Sequence, residues 1–308
     1  MPRRMLVLFA LALGACAPSS PPEAPRGFVL VKASVLDGTG GDTRAVNVRV
    51  EGDTIVGVDE GEPLECYEVI DASGFALAPG FIDPHSHGDD ELFEHRDALA
   101  AVSQGITTIV VGQDGGAPFP LAEFFEHLST SPVSVNVASY AGHGTLRETV
   151  MGEDFGRAAT DEEIEKIRQL LIEEMKAGAL GLGTGLEYDP GIYSERSEVV
   201  TLAREAASWG GRYISHLRSE DRHFWDAVDE ILAIGREARL PVQISHTQLA
   251  MQNLWGQTDR LIALLDAARA EGIEVNADIY PYTYWQSTLT VLFPERDFED
   301  RKEAEIAV

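Results

Sequence analysis

The sequence predicts an α/β fold: a (β/α)8 TIM-like barrel with seven strands present, preceded by a small N-terminal partial β-sandwich. From Pro79 onward, apolar strands, loops and amphipathic helices alternate, which is typical of a parallel sheet covered by helices. Their regular spacing favours a barrel over an open sheet. Before Pro79 the chain shows only short strand patterns separated by turns.

The first residues have the pattern of a bacterial lipoprotein signal peptide, which we place at 1–15. Two arginines precede an apolar run, and the sequence Leu-Gly-Ala-Cys then resembles a lipobox. Cleavage before Cys16 leaves a cysteine able to carry lipid on a flexible tether, 16–26. The alternative is a plain secretory signal, which the small residues before Cys16 disfavour. We therefore expect an extracytoplasmic lipoprotein, facing the periplasm or the cell surface, that meets the membrane through its lipid anchor only.

The charge of the chain argues against two kinds of partner. Among 308 residues there are 51 acidic and 24 basic side chains, giving a formal net charge of −27. This charge disfavours nucleic acid and anionic lipid as partners of the folded body. Solubility in a salty or extracytoplasmic setting accounts for it, so it identifies no substrate. Once Cys16 is lipidated, Cys66 is the remaining thiol, and no internal disulfide is expected.

The partial β-sandwich occupies residues 27–78. Strands are expected at 28–31, 45–50 and 54–58, with a Glu-Gly-Asp turn before the last of them. Residues 69–74 lead out of the segment. It is too short to bury a stable core of its own, so we expect it to accompany a larger domain.

The barrel occupies residues 79–308, and its clearest helix begins at the N-cap Thr160, where Glu163 completes a capping box. No eighth apolar strand follows the last of the predicted strands, and without one the barrel cannot close. We therefore expect a fragment of a longer protein or a prematurely ended reading frame. The predicted strands are 80–85, 106–112, 133–139, 178–183, 212–216, 241–246 and 273–280.

Histidines stand at the ends of three predicted barrel strands, where the active sites of such barrels lie. His85 and His87 end the first strand and, two residues apart, point to the same face. His216 and His246 end the fifth and sixth strands in two copies of Ile-Ser-His, and Asp114 follows the second strand. A single histidine is more often structural than a ligand. Four histidines and an acid at matching strand ends favour a zinc site.

Four further histidines have less distinctive surroundings. His143, within Gly-His-Gly, also ends a strand, and we expect it to line the pocket as a substrate-binding residue. The other three lie in helical, polar contexts and are expected at the surface: His95, His127 and His223.

With the motifs around these residues, the sequence resembles the amidohydrolase superfamily and, within it, the N-acyl-D-amino-acid deacylases (the D-aminoacylase family). The resemblance covers residues 28 to about 291. It rests on PGFIDPHSHGD at 79–89, GITTIVVG at 105–112, GHGTLR at 142–147, GALGLGTGLEY at 178–188, SHLRSE at 215–220, ISH at 244–246 and YPYT at 280–283.

The resemblance implies a metal-dependent hydrolase of an amide bond, with one or two Zn²⁺ ions and a small-molecule substrate. It implies a zinc held mainly by the second-strand ligand, His216 and His246, and a weaker or second metal position near His85 and His87. It also implies that the metal activates a water for attack on the amide carbonyl, while an aspartate ending the eighth strand moves the proton.

That general-base aspartate is expected beyond Val308, because Asp297 and Asp300 lie in polar surroundings that do not suit a strand end. Arg218 and Tyr280 are candidates for holding a substrate carboxylate or oxyanion. Each also has an ordinary structural interpretation, Arg218 as a rim ion pair and Tyr280 as a packed ring.

Two positions depart from the family pattern. Family members usually carry a bridging cysteine in a Gly-Asn-Cys-Gly turn, where this chain has Gly-Gln-Asp-Gly. Asp114 can replace it as a ligand or can be only a turn residue. Members also usually have a lysine that contacts the substrate carboxylate, where this chain has Gln248. That change leaves open a less anionic amide, a cyclic amide or a peptide as substrate.

The sequence thus favours a zinc-dependent amidohydrolase similar to N-acyl-D-amino-acid deacylases. Another activity of the same superfamily, cyclic amidase or dipeptidase, is one alternative. A catalytically inactive surface lipoprotein that keeps the barrel for binding is the other.

Overall fold

The computed structural model describes residues 26–61 and 67–293, and the chain divides into two compact units after Pro79. The predicted signal peptide 1–15, Cys16 and Cys66 lie outside the described residues. Within the described residues, every helix is too short or too polar to cross a membrane.

The first unit is a five-stranded sheet in its described residues. The order is β3-β2-β1-β4; β2 runs antiparallel to β1 and β3, and β4 and β5 both pair parallel to β1. Alternate residues of β1, Val29, Val31 and Ala33, are buried, as expected of a strand with one covered face. The strands are β1 (Phe28–Val35), β2 (Arg44–Glu51), β3 (Thr54–Asp59), β4 (Glu68–Asp71) and β5 (Ala76–Leu77).

The second unit alternates strands with helices, as the sequence predicts. Its strands are β6 (Phe81–Asp83), β7 (Ile106–Val111), β8 (Asn136–Ser139), β9 (Ala141–Gly142), β10 (Gly181–Gly185), β11 (Arg212–His216), β12 (Val242–Ile244) and β13 (Val275–Ala277). Its helices are α1 (Leu99–Val102), α2 (Leu121–Thr130), α3 (His143–Met151), α4 (Asp161–Ala177), α5 (Arg196–Ser208), α6 (Phe224–Ala238) and α7 (Thr258–Ala270). Short 3₁₀ helices lie at Gly152–Asp154, Gly191–Tyr193 and Leu289–Leu292.

These strands occupy the seven predicted barrel positions. They form two parallel sheets, β6-β7-β8 and β13-β12-β11-β10-β9. Only Tyr140 separates β8 from β9, and its backbone N–H donates to the carbonyl of Val111 on β7. The two short strands therefore fill one barrel position. In the described part of the chain, no hydrogen-bonded pair joins β6 to β13.

The helical layer is fixed by local signals and by burial. Thr160 and Glu163 form the predicted capping box at the start of α4, and Gly178 ends that helix at φ 110°. Glycine adopts this left-handed conformation without a Cβ penalty, which is why the helix stops there. A large apolar core between helices and strands includes fully buried Leu182 of β10 and Val242 of β12.

A fully buried ionic cluster joins α3 to α5. Arg147 donates from Nη1 to both carboxylate oxygens of Glu198, at 2.8 and 2.6 Å, and His143 Nε2 lies 2.8 Å from the same carboxylate. Arg147 Nη2 also donates to the carbonyls of Phe155 and Arg157. Because each charge is compensated only by its neighbours, the cluster ties two helices of the layer together.

Replacing Glu198 by Ala leaves the Arg147 guanidinium buried without its carboxylate, so we expect a loss of about 3–5 kcal/mol in the free energy of unfolding. Urea denaturation of both proteins measures it. Glu173→Ala is the control, because Glu173 forms an exposed pair with Lys176 and its loss costs at most about 1 kcal/mol. Equal losses in the two variants would show that the buried cluster contributes no more than a surface pair.

Candidate metal centre

Asp114 lies between the two histidines that follow β6. Its Oδ2 atom is 3.4 Å from His85 Nε2 and 3.1 Å from His87 Nε2. His85 is nearly buried, whereas 62% of the His87 side chain is exposed. His85, His87 and Asp114 thus lie close together, as the sequence predicts.

His216 and His246 form the second half of the cluster. Consecutive parallel strands place them side by side, since Gly185 pairs with His216 and Ser215 pairs with Ile244. His216 Nδ1 lies 3.0 Å from His246 Nε2, and that Nε2 lies 3.6 Å from Asp114 Oδ1. Two ring nitrogens that face each other beside a carboxylate are arranged for a shared cation.

Three further carboxylates lie at the other ring nitrogens of His216, His246 and His85. Glu187 Oε2 is 2.9 Å from His216 Nε2, and Glu220 Oε1 is 2.7 Å from His246 Nδ1. Asp278 Oδ1 is 3.2 Å from His85 Nδ1. A carboxylate on the outer nitrogen fixes the orientation of a histidine ligand and makes the inner nitrogen more basic.

The electrostatics of the cluster favour positive charge. Burial opposes the charged form of His85, but Asp114 and Asp278 outweigh it and raise its pKa to about 9. Burial likewise opposes charge on His246, yet Asp114 and Glu220 raise its pKa to about 10. Burial alone would raise the pKa of Asp114, but its hydrogen bonds to the surrounding histidines hold that pKa well below the ordinary value. A bound cation is therefore stabilised by the same carboxylates.

Asp278 is poorly suited to accept a further proton. Its oxygens accept hydrogen bonds from Gln243 Nε2 and from the backbone N–H of His246, both at 2.6 Å, besides facing His85. Burial raises its pKa, but His85 and these two donors lower it overall. The position of the general base beyond Val308 stays a prediction.

Two of the clustered residues have left-handed backbone conformations. Asp114 has φ 55° and His246 has φ 30°, values that few residues other than glycine adopt. Gly112, at φ 79°, precedes Asp114, and a Cβ there would lie 2.5 Å from the carbonyl oxygen of Tyr140. Gln113 then anchors the turn by donating from Nε2 to the carbonyl of Pro84 at 3.0 Å. Strain held in place by such contacts is common at functional sites.

The cluster lines a cavity of about 690 Å³. This is the size range of small-molecule sites. Acids and aromatic rings dominate the rest of its lining, including Glu187, Tyr188, Glu220, Tyr280, Tyr282 and Trp285. The Tyr188 ring packs on His216 with the ring centroids 4.2 Å apart.

The structure corrects two predicted substrate contacts. His143 is fully buried against Glu198, so it does not line the cavity. Arg218 is absent from the lining as well, because its guanidinium pairs with Glu230 at 2.8 and 2.9 Å, which is the rim ion pair that the sequence left open. The third candidate, Tyr280, does line the cavity. The histidines predicted at the surface are exposed: His95, His127 and His223.

The sequence interpretation missed the three orienting acids. Asp278 directly follows β13, so the strand-end rule that identified His216 and His246 also points to it. Glu187 and Glu220 lie in loops after β10 and β11, within segments that carry the family resemblance, but no spacing rule distinguishes them there.

The donor set fits a divalent metal. The ligand atoms of His85, Asp114 and His246 lie within 4.8 Å of one another and form one candidate set, and those of His216, Glu220 and His246 form a second. Asp114 Oδ1 is buried and, among the described residues, has no hydrogen-bond partner. Imidazole nitrogens with a carboxylate oxygen are ligands that zinc accepts.

The amidohydrolase family model matches residues 68–307. D-aminoacylase of Alcaligenes xylosoxydans xylosoxydans is 35% identical over 84% of this chain and 58% of its own length. N-acyl-D-glutamate deacylase of the same organism is 36% identical over 85% of this chain and 57% of its own length.

Solved structures give the same result. A D-aminoacylase structure superposes with a TM-score of 0.78 at 34% identity. N-acyl-D-glutamate deacylase from Bordetella bronchiseptica, complexed with zinc and a phosphonate inhibitor, gives 0.78 at 35% identity. Each superposition includes 83% of this chain and 58% of the other protein. The chain thus spans somewhat more than half the length of the relatives it matches. The fold, the converging residues and the family match together show that the chain belongs to the amidohydrolase family.

Proposed function

We propose that this protein is a zinc-dependent hydrolase of the acyl amide bond of N-acylated amino compounds, similar to the N-acyl-D-amino-acid deacylases. The observation that supports the proposal is the clustering of possible ligands in the cavity lining, where the ligand atoms of His85, Asp114 and His246, and those of His216, Glu220 and His246, lie within 4.8 Å of one another. Its relatives of similar sequence are named as deacylases of this kind, which supports the substrate class.

His216, His246 and Asp114 would hold the first zinc, and His85 and His87 would hold a weaker or second one with Asp114 shared. Zinc at such a site supplies a Lewis acid and lowers the pKa of a bound water. The orienting acids Glu187, Glu220 and Asp278 keep the histidine rings in the orientation that metal binding needs.

The cavity serves the reaction by positioning the amide above this cluster. Hydrolysis joins the oxygen of water to the acyl carbon, breaks the carbon–nitrogen bond and moves a proton to the leaving amine. The Tyr188 ring covers one side of His216, which is buried. The aromatic residues Tyr280, Tyr282 and Trp285 form a wall that can pack against the substrate side chain.

We further propose that the protein works outside the cytoplasm as a lipoprotein anchored through Cys16, on the strength of the leader pattern in its first sixteen residues. Metabolic labelling with a fatty-acid analogue in a bacterial host tests this. The expected result is label on the wild-type protein and none on Cys16→Ala. Equal labelling of the two would contradict the anchor.

Replacing His216 by Ala removes one nitrogen from the first metal site and breaks the contact with His246. We expect zinc content to fall from about one or more ions per chain to less than half of that. Release of acetate from a panel of N-acetyl-D-amino acids and their amides should fall in parallel. His95→Ala is the matched control, because His95 is exposed and remote from the cavity lining. Full zinc content and activity in His216→Ala would refute the proposed site.

A further inference from the structure

A chain of three polar side chains runs along one wall of the cavity. Tyr280 Oη donates to Gln248 Oε1 at 2.8 Å, and Gln248 Nε2 donates to Glu220 Oε2 at 3.0 Å. Glu220 in turn backs His246, so this wall adjoins the metal cluster directly. All three residues of the chain line the cavity.

The carboxylate of Glu220 determines which group donates in each of these two hydrogen bonds. An ionised carboxylate only accepts hydrogen bonds, so the Gln248 side chain must turn its NH₂ group to Glu220. Its carbonyl oxygen then faces Tyr280, whose single hydroxyl proton is used in that bond. Burial raises the pKa of Tyr280, so the hydroxyl keeps this proton at neutral pH.

The hydrogen-bonding groups that remain free to contact a ligand are mostly acceptors. Tyr280 presents its oxygen lone pairs and Glu220 presents a negative charge. The second hydrogen of Gln248 Nε2 is the one donor left in the trio. Among the lining residues that the structure describes, between Asp83 and Val291, there is no lysine or arginine. Besides Glu220, the acids in the lining are Asp83, Asp114, Glu187, Asp221 and Asp278.

A free carboxylate on the substrate fits this wall badly, because it has no hydrogen to donate to the Tyr280 oxygen and would face the carboxylate of Glu220. A carboxamide or a peptide bond fits it well. Its N–H can donate to the Tyr280 oxygen or to Glu220, and its carbonyl can accept from Gln248 Nε2. A site built to hydrogen-bond one group rejects an analogue that cannot complete those bonds.

We propose that the group beside the scissile amide is itself a neutral amide, so that the substrate is an N-acyl amino-acid amide or an N-acylated peptide and not a free N-acyl amino acid. This inference rests on the proposed function and narrows its substrate class. The aromatic residues that continue the wall beyond Tyr280 give room for a peptide: Tyr282, Tyr284 and Trp285.

The test compares N-acetyl-D-leucinamide with N-acetyl-D-leucine on the zinc-loaded full chain. Released acetate is measured, since only cleavage of the acetyl bond is common to both. We expect kcat/KM for the amide to exceed that for the acid at least about tenfold, because the acid leaves polar groups unmatched.

The substitution Gln248→Lys should reverse the direction of the hydrogen bond between Tyr280 and residue 248. A lysine only donates, so Tyr280 must accept from it and turn its own proton toward the cavity. We expect this variant to shift the acid-to-amide ratio of kcat/KM toward the acid by at least about tenfold. Gln252→Lys adds the same charge at an exposed position outside the cavity and should leave the ratio unchanged.

A wild-type protein that prefers the acid overturns the inference, and so does a Gln248→Lys variant with an unaltered ratio. Because the general base is expected beyond Val308, absence of hydrolysis does not contradict the proposed function, whereas a chain that binds no zinc does; without hydrolysis the inference is decided by affinity. Calorimetric titration of the zinc-loaded protein with the two compounds should show tighter binding of the amide. Equal or tighter binding of the acid overturns the inference on its own.

Discussion

The parallel register of β10 to β13 is the constraint on which the rest of the site depends. Gly185 pairs with His216, Ser215 with Ile244, and Ile244 with Ala277. Because the strands run in one direction with little offset, the residues just past their ends share one edge. His216, His246 and Asp278 are neighbours in space for this reason alone, although the chain separates them by whole helices.

Histidines that share one edge of a sheet do not by themselves make a metal site. The carboxylates that contact their rings are also needed. Glu187, Glu220 and Asp278 each lie at one ring nitrogen of a histidine, while the other nitrogens of His85 and His246 face Asp114. Several acids in a nearly buried space repel one another unless positive charge lies among them. Neighbouring carboxylates raise the pKa of His85 and of His246, so protons on these rings offset the acids, and a metal ion can take the place of those protons.

The strand positions and the clustered histidines could be predicted from the sequence, but the orientation of individual side chains could not. Strand positions followed from apolar runs, and the four clustered histidines followed from their place after those runs. Strand ends do not determine which way a side chain turns, however. His143 turns away from the cavity because its partner Glu198 lies in a helix 55 positions further along, and no local pattern reveals that pairing. Glu187 and Glu220 were missed for the same reason, since their role exists only through contacts formed by folding, whereas the position of Asp278 after β13 could have indicated it.

If the carboxylates beside the histidines prepare them to bind zinc, the variant Glu187→Ala should bind zinc more weakly than the wild-type protein. Removal of a carboxylate that holds a ligand histidine typically weakens metal binding about 10- to 100-fold. Competition with a chromophoric chelator measures the dissociation constant, and Glu195→Ala, an exposed acid at the start of α5, serves as the control. We predict a loss in that range for Glu187→Ala and none for Glu195→Ala. Unchanged zinc affinity in Glu187→Ala would contradict the account.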